Sequence, residues 1–326
     1  MEAFEAIPCA VATTGTFDGF HAGHRLILDR MKDIAKGMGG ETVLITFDPH
    51  PRKVIHPEFP LALLTTLDER AELLSEAGLD HLIVQPFTPE FSSTSSLDFV
   101  RKGLVGQVGV KKLVIGYDHH FGRNREGTFA HLQEFGPVYG FEVEEIPPHE
   151  VEEVKVSSTK IRKALIAGEV EKAAVFLARP YFVSGTVVHG ESRGTGLGYP
   201  TANVGQIDPD KLLPADGVYL VMAERLTPEH RGERWPALAN LGMRPTVEGQ
   251  KRSLEVHWLD FSGDLYGTAL RVHFVQRVRD EQKFADVMAL KAQIQRDEQT
   301  ARAYFASATD SKSQRYVGIS CANAIG

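Results

Sequence analysis

The sequence predicts an α/β unit built on a parallel sheet, followed by a small antiparallel β-barrel closed by a helix. Three observations lead there. The chain has 326 residues, about the length of two ordinary domains. Its first half alternates short apolar, β-branched runs with helical periodicity, the mark of a parallel sheet covered on both faces. After the turn-prone pair Arg179-Pro180 the pattern changes to short strands separated by Gly/Pro-rich turns, as in a compact barrel.

Residues 7–14 (IPCAVATT) read as the first strand. Residues 24–38 then place Ile27, Met31, Ile34 and Met38 on one helical face. TVLITF at 42–47 is the second strand, and 66–77 a helix opened by Thr66 or Asp68. Further strands are expected near 79–87, 111–118 and 141–146, with helices between them. From residue 157, SSTKIRKALIAGEVEKAAVFLA reads as two short helices joined at Gly168. Barrel strands are expected at 181–188, 217–224, 235–241, 253–260 and 268–276, and a closing helix at about 282–305. The expected domains are 1–180 and 181–306, with 307–326 a mobile tail rich in Ser, Ala and Gly.

Composition excludes several classes of function. Apolar residues make up 42% and charged residues 24%, which rules out a disordered chain, a collagen-like chain and a coiled-coil rod. The net charge of −7 argues against a nucleic-acid partner, so any anionic substrate must be met by locally placed positive groups. The two cysteines, Cys9 and Cys321, form no metal or redox spacing and are expected to be a small core residue and a tail thiol. The N-terminus lacks a basic signal-peptide region, and no run of ~20 apolar residues spans a bilayer. A cytoplasmic protein without a membrane partner is expected.

Residues 15–24, GTFDGFHAGH, follow a strand and open a helix. Gly15, Gly19 and Gly23 permit tight turning and close backbone approach. His21 and His24 are one helical turn apart at a helix N-terminus, where N–H groups and the dipole favour an anion. A polyphosphate site and a plain pair of one capping and one surface histidine both account for the bare HxGH quartet. In SSTKIR at 157–162, Ser157 or Ser158 caps a helix, while Lys160 and Arg162 add cations suited to phosphate. Four glycines between 190 and 198 lead into PTAN at 200–203. Thr201 and Asn203 share a strand face and offer hard neutral oxygens suited to Mg²⁺. In SLEVHWLD, Leu254, Val256 and Trp258 alternate with Glu255, which therefore points away from the apolar face.

These segments resemble the bacterial bifunctional riboflavin kinase/FAD synthetases. GTFDGFHAGH is similar to the signature of the Rossmann-like HxGH nucleotidyltransferases. FDPHP at 47–51, LTTLDERAELL at 64–74, IGYDHHFGRNREG at 115–127 and SSTKIR follow in the family's order. GESRGTGLGYPTAN at 190–203 resembles the riboflavin kinase signature, and NLGMRPT at 240–246, SLEVHWLDF at 253–261, DLYG at 264–267 and VRDEQKF at 278–284 continue it. Val156, His119, Thr195 and Tyr199 depart from the family pattern.

The resemblance implies two reactions. The C-terminal barrel phosphorylates riboflavin to FMN with ATP and Mg²⁺, and the N-terminal domain adenylylates FMN to FAD, releasing pyrophosphate. It implies His21, His24 and Arg162 around the triphosphate, and nucleotide or phosphate contacts from Gly15, Phe17, Asp18, Gly19, Ser157, Ser158, Thr159 and Lys160. In the barrel it implies Gly190, Arg193 and Gly198 on phosphate, Thr201 and Asn203 on the metal, and Glu255 as the base for the riboflavin 5′-hydroxyl. Asp118, Arg279 and Glu281 are implied as flavin contacts, though surface charge accounts equally well for the last two. The expected assembly is a monomer or weak homo-oligomer. Rival readings are an enzyme with one live half, a non-catalytic flavin- or nucleotide-binding regulator, and an HxGH adenylyltransferase for pantetheine phosphate or nicotinate mononucleotide.

Overall fold

The computed structural model describes residues 7–117, 119–147, 156–189, 199–246, 249–261 and 263–310. The chain divides into two compact units, Met1–Ser158 and Thr159–Gly326. The change of pattern near Pro180 marks where helices give way to strands.

In the first unit, strands β1 (Ala10–Thr14), β2 (Thr42–Asp48), β3 (His81–Pro86), β4 (Val110–Gly116) and β5 (Glu142–Ile146) form one sheet in the order β3-β2-β1-β4-β5. All four ladders are parallel. Every residue of the central β1 is buried, as expected for a strand covered on both faces. Ala10 and Ala12 join Val43, Ile45, Leu113 and Ile115 in one apolar layer, while Val11 and Val114 meet Met31 and Ala35 in the other. The strand order reverses between β1 and β4, so a crevice opens at their carboxyl ends.

Helix α1 (Ala22–Met38) buries Gly23, Leu28, Met31 and Ala35. Of the predicted face, Met31 is in the core with Ile27 and Ile34 packed beside it, and only Met38 departs. Ile27 and Ile34 flank the buried stripe, and Met38 is 41% exposed. Helix α2 (Leu67–Glu76) starts at Thr66, whose hydroxyl accepts from Glu69 N–H while the Glu69 carboxylate accepts from Thr66 N–H. Cys9 is exposed just before β1, so it is not the core residue expected.

Helix α3 (Phe129–Tyr139) precedes β5, and α4 (Ser158–Ile166) and α5 (Val170–Leu177) are joined through Gly168 in the left-handed region at φ 76°. Six strands then close a barrel: β6 (Tyr181–Val188), β7 (Ala202–Gly205), β8 (Gly217–Arg225), β9 (Arg234–Thr246), β10 (Gly249–Trp258) and β11 (Ala269–Arg279), in the order β10-β7-β6-β11-β8-β9. All its ladders are antiparallel. Helix α6 (Val287–Asp310) lays Ala301 and Phe305 on Val218, Leu220, Met222 and Leu238. It starts later than predicted and continues through residues 307–310 of the predicted tail, because neither glycine nor proline interrupts it. The tail's remainder, 311–326, lies outside the described residues.

One buried hydrogen-bonded pair makes the barrel sensitive to acid. His273 on β11 meets Glu224 on β8 at 2.9 Å, and both are nearly inaccessible to water. Burial pushes the imidazole down to about 4 despite the carboxylate. Burial alone would raise Glu224, but the bond to His273 and the charge of Arg234 hold it at about 2. Both groups bind fewer protons folded than unfolded, so stability falls as pH drops, first through the window from 6.5 to about 4 set by His273. His273→Gln keeps a donor for Glu224 and removes this titration. Denaturant unfolding at pH 7 and pH 5 should show a smaller loss in the variant than in the parent chain.

Candidate functional site

The first candidate site forms where β1 ends. The loop after Thr14 holds Phe17 at φ 47°, Gly19 at φ 85° and Phe20 at φ 36°, three residues in the left-handed region within four positions. Such a loop persists only when its surroundings determine it. Phe17 and Phe20 are buried, and a Cβ on Gly19 would lie 2.7 Å from Leu64 Cδ1. The Asp18 carboxylate accepts from Leu64 N–H at 3.0 Å, Thr65 N–H at 2.9 Å and the Thr65 hydroxyl at 3.2 Å. Gly19 N–H donates to Thr65 Oγ1 at 3.0 Å. Asp18, predicted as a phosphate-side residue, is thus engaged as the buried anchor of the loop.

His21 caps α1. His24 N–H donates to His21 Nδ1, and His21 N–H donates to His24 Nδ1, each at 3.4 Å. The two rings stack with centroids 3.6 Å apart, and Phe17 stacks on His24 at 4.4 Å. Because each Nδ1 accepts, each ring carries its proton on Nε2. Burial, then the neighbouring His21 and Arg70, push His24 well below the ordinary histidine value. With its pKa lowered and its Nδ1 accepting, His24 offers an Nε2–H donor at the helix N-terminus.

The buried cation here is Arg70 of α2, 3% exposed, whose Nη1 donates to the Thr16 carbonyl and, at 3.4 Å, to Thr46 Oγ1. Burial lowers its pKa, and the carboxylates of Asp18 and Asp48 oppose that shift. Arg70 falls three and four positions before Leu73 and Leu74 on the buried side of α2. A charged residue on an apolar helical face was the signal available in the sequence.

The start of SSTKIR meets this loop. Ser158 Oγ donates to the Asp18 carbonyl at 3.0 Å, and a Cβ on Gly23 would lie 3.6 Å from Val156 Cγ1. Ser157 is half-buried; Thr159 and Lys160 are exposed and Arg162 half-buried in the first turns of α4. At the end of β4, His119 Nε2 lies 3.1 Å from Thr14 Oγ1, bridging the two strand ends that flank the crevice. Asp118 lies outside the described residues.

The second candidate site lies on the barrel wall. Register places Glu255 on β10 opposite Asn203 on β7 and opposite Asn240 on β9. Thr201 stands one residue before β7, and its hydroxyl donates to Glu255 Oε2 at 3.4 Å. His257 Nδ1 bonds the Pro200 carbonyl at 2.9 Å and fixes the entry to β7. Glu255 does point away from Leu254, Val256 and Trp258, yet it is 9% exposed and far from a solvated strand glutamate. β7 on one side and the Arg244 guanidinium, paired with its carboxylate, on the other cover it.

Two residues expected on the flavin side have neighbours within the protein. Arg279 grips Asp297 of α6 through Nη2 at 2.8 Å and Nε at 3.0 Å, and so pins that helix to β11. The Glu281 carboxylate fills the space a Cβ would need at Gly242. Gly190, Arg193, Thr195 and Gly198 lie outside the described residues. Among the described residues no group of three or more His, Cys, Asp or Glu is arranged to hold a metal ion.

Comparison with known proteins fits this two-site arrangement. Residues 5–160 match the FAD synthetase family and residues 177–305 the riboflavin kinase family. A bifunctional riboflavin kinase/FMN adenylyltransferase from Pseudomonas fluorescens is 42% identical over 90% of this chain and 92% of its own length. The chain belongs to the bifunctional riboflavin kinase/FMN adenylyltransferase family. Members from Escherichia coli K12 and Bacillus subtilis are 38% and 34% identical over 90% and 91% of this chain, covering 92% and 93% of their own lengths. A crystal structure titled as a macrolide-efflux protein from Streptococcus pneumoniae aligns with a TM-score of 0.80 and 31% identity over 92% of this chain and 96% of its own. Among the described residues here, no helix is long and apolar enough to cross a membrane. The family carries FAD synthetase before riboflavin kinase, the order the motifs predicted.

The Asp18 anchor gives a direct test. Asp18→Ala leaves the buried Leu64 and Thr65 amides without their acceptor. It should lower the stability of the first unit by about 2–4 kcal/mol. Hydrogen exchange should show lost protection at those two amides, with the barrel strands unchanged.

Proposed function

We propose that the two candidate sites carry consecutive steps on one flavin, with 181–306 as the kinase half and 1–180 as the adenylylating half. ATP is the phosphoryl donor in the first step and the adenylyl donor in the second. The observation that carries the kinase reading is the convergence of Thr201, Asn203 and Glu255 across β7 and β10. Glu255 accepts the proton of the riboflavin 5′-hydroxyl as its oxygen bonds to the γ-phosphorus and ADP leaves. The oxygens of Thr201 and Asn203, beside a carboxylate, suit Mg²⁺ held with ATP, which supplies charge neutralisation on the phosphates. Gly190, Arg193 and Gly198 are assigned to the phosphates by their place in the signature.

In the adenylylating half an FMN phosphate oxygen attacks the α-phosphorus of ATP, and pyrophosphate leaves. No protein nucleophile is required; positioning and electrostatic stabilisation carry the step. The Nε2–H groups of the stacked His21 and His24 donate to phosphate oxygens at the α1 N-terminus. Gly15, Phe17 and Gly19 shape the loop that approaches the nucleotide, and Asp18 holds that loop in place. Ser157, Ser158 and the helix they open, with Thr159, Lys160 and Arg162, supply the remaining phosphate contacts. Asp118, Arg279 and Glu281 are assigned to the flavin side; for Arg279 the role passes through its grip on Asp297.

The reading includes a cytoplasmic location, a monomer or weak homo-oligomer, and neither a nucleic-acid nor a membrane partner. The acidic balance and the low cysteine count support it.

Product analysis of the full chain with riboflavin, ATP and Mg²⁺ tests the proposal. FMN and FAD should both form. Glu255→Gln should slow FMN formation by roughly 10²–10⁴-fold while added FMN is still converted to FAD. His21→Ala should stop FAD formation and leave FMN formation intact. Unchanged FMN formation in Glu255→Gln would refute the base assignment, and absence of FAD from the parent chain would refute the adenylylating half.

A further inference from the structure

One arginine on the barrel has no part in the reaction as assigned so far. Asn240, Gly242 and Arg244 share one face of β9, and their cross-strand partners on β10 include Glu255 and Ser253. From the far end of that row Arg244 reaches back, and its Nη2 pairs with Glu255 Oε1. The other carboxylate oxygen, Oε2, accepts from Thr201 at 3.4 Å. The two oxygens thus have different partners, a cation at one and a hydroxyl at the other.

The arrangement is asymmetric in solvent as well. The Glu255 side chain is 11% exposed and that of Arg244 33%, so the cation lies at the wet edge and the carboxylate inside. A second carboxylate, that of Glu281, occupies the space over Gly242, between Asn240 and Arg244 along the strand. Glu255 and Glu281 thus bring two like charges to this part of the barrel wall, and a cation beside them offsets that charge. The Arg244 guanidinium offsets that charge and, through its ionic contact with Oε1, limits the rotation of the Glu255 carboxylate.

We propose that Arg244 is a positioning residue for riboflavin phosphorylation: it fixes the Glu255 carboxylate, with one oxygen turned to Thr201, in the orientation that meets the riboflavin 5′-hydroxyl. The inference rests on the assignment of Glu255 as proton acceptor. In the step itself the hydroxyl O–H bond breaks and its proton passes to Glu255. The new bond forms to the γ-phosphorus, and the bond to the β,γ-bridging oxygen breaks with its electron pair leaving on ADP. Arg244 neither gives nor takes a proton, since guanidinium stays charged. Its contribution is orientation, and a misplacement of about 1 Å in a reacting group costs on the order of 10²-fold.

The full chain provides its own control, because FMN adenylylation uses the other unit. Arg244→Gln should lower kcat for riboflavin phosphorylation about 10–100-fold, with KM for ATP and riboflavin held within about twofold and FMN adenylylation unchanged. Arg244→Lys, which keeps the charge without the fork, should recover part of that loss. On a Glu255→Gln background, Arg244→Gln should cost nothing further, because both changes remove one function. A raised KM at unchanged kcat would overturn the proposal and make Arg244 a substrate-binding residue. Equal loss in the Gln and Lys variants would overturn it in favour of a packing role, as would an undiminished effect on the Glu255→Gln background. Full phosphorylation activity in Glu255→Gln alone would instead sink the base assignment beneath it, whatever Arg244 does.

Discussion

A buried carboxylate bound to backbone amides organises the first unit's site. Asp18 sits in a loop that takes three left-handed residues to turn from β1 into α1. Within the turn Phe20 N–H donates to the Phe17 carbonyl at 3.0 Å, yet two of its three left-handed residues are not glycine and need support from outside. The bonds from Leu64 and Thr65 supply the missing constraint, and Gly19 leaves room for Leu64 to come close. Once the loop is fixed, His21 stands as the cap of α1, His24 stacks against it, and the Asp18 carbonyl is presented to Ser158. The distant segments around 18, 64 and 158 are thereby gathered at the carboxyl end of one strand.

The barrel solves the same problem by register. Glu255 acquires its neighbours because β7 and β9 flank β10, which sets Asn203 and Asn240 opposite it. A slip of one residue would send Glu255 into the apolar interior and Leu254 outward. Strand pairing thus decides whether a glutamate is a site residue at all, and the cover from Thr201 and Arg244 decides its environment. In both units a polar group is taken out of water and held by specific partners, which is costly unless those partners are in place.

Much of this could be read along the chain. Strand–helix alternation identified the parallel sheet, and Val, Ile and Leu runs marked its strands with small errors at their ends. The histidine spacing placed both rings on one side of α1, and alternation in SLEVHWLD turned Glu255 from the core. What could not be read was occupancy. Asp18 accepts from Leu64 and Thr65, and Arg279 holds Asp297, partners that the motifs do not name. The partners lie 46 and 18 residues away, and no local pattern names them. Arg70 left a trace in the sequence, a charge on the apolar side of its helix, whereas Arg244 left none, because its partner Glu255 lies on another strand.

The sequence by itself determined the order of elements, the two-part organisation, the family, and which side chains are chemically able to act on phosphate and flavin. Those follow from periodicity and motif spacing, which are local properties of a chain. The tertiary structure alone decided that burial lowers the pKa of His24, that Glu255 is enclosed, and that an arginine stands against its carboxylate. Those depend on burial and on charges brought together across strands, and burial exists only after the chain has folded.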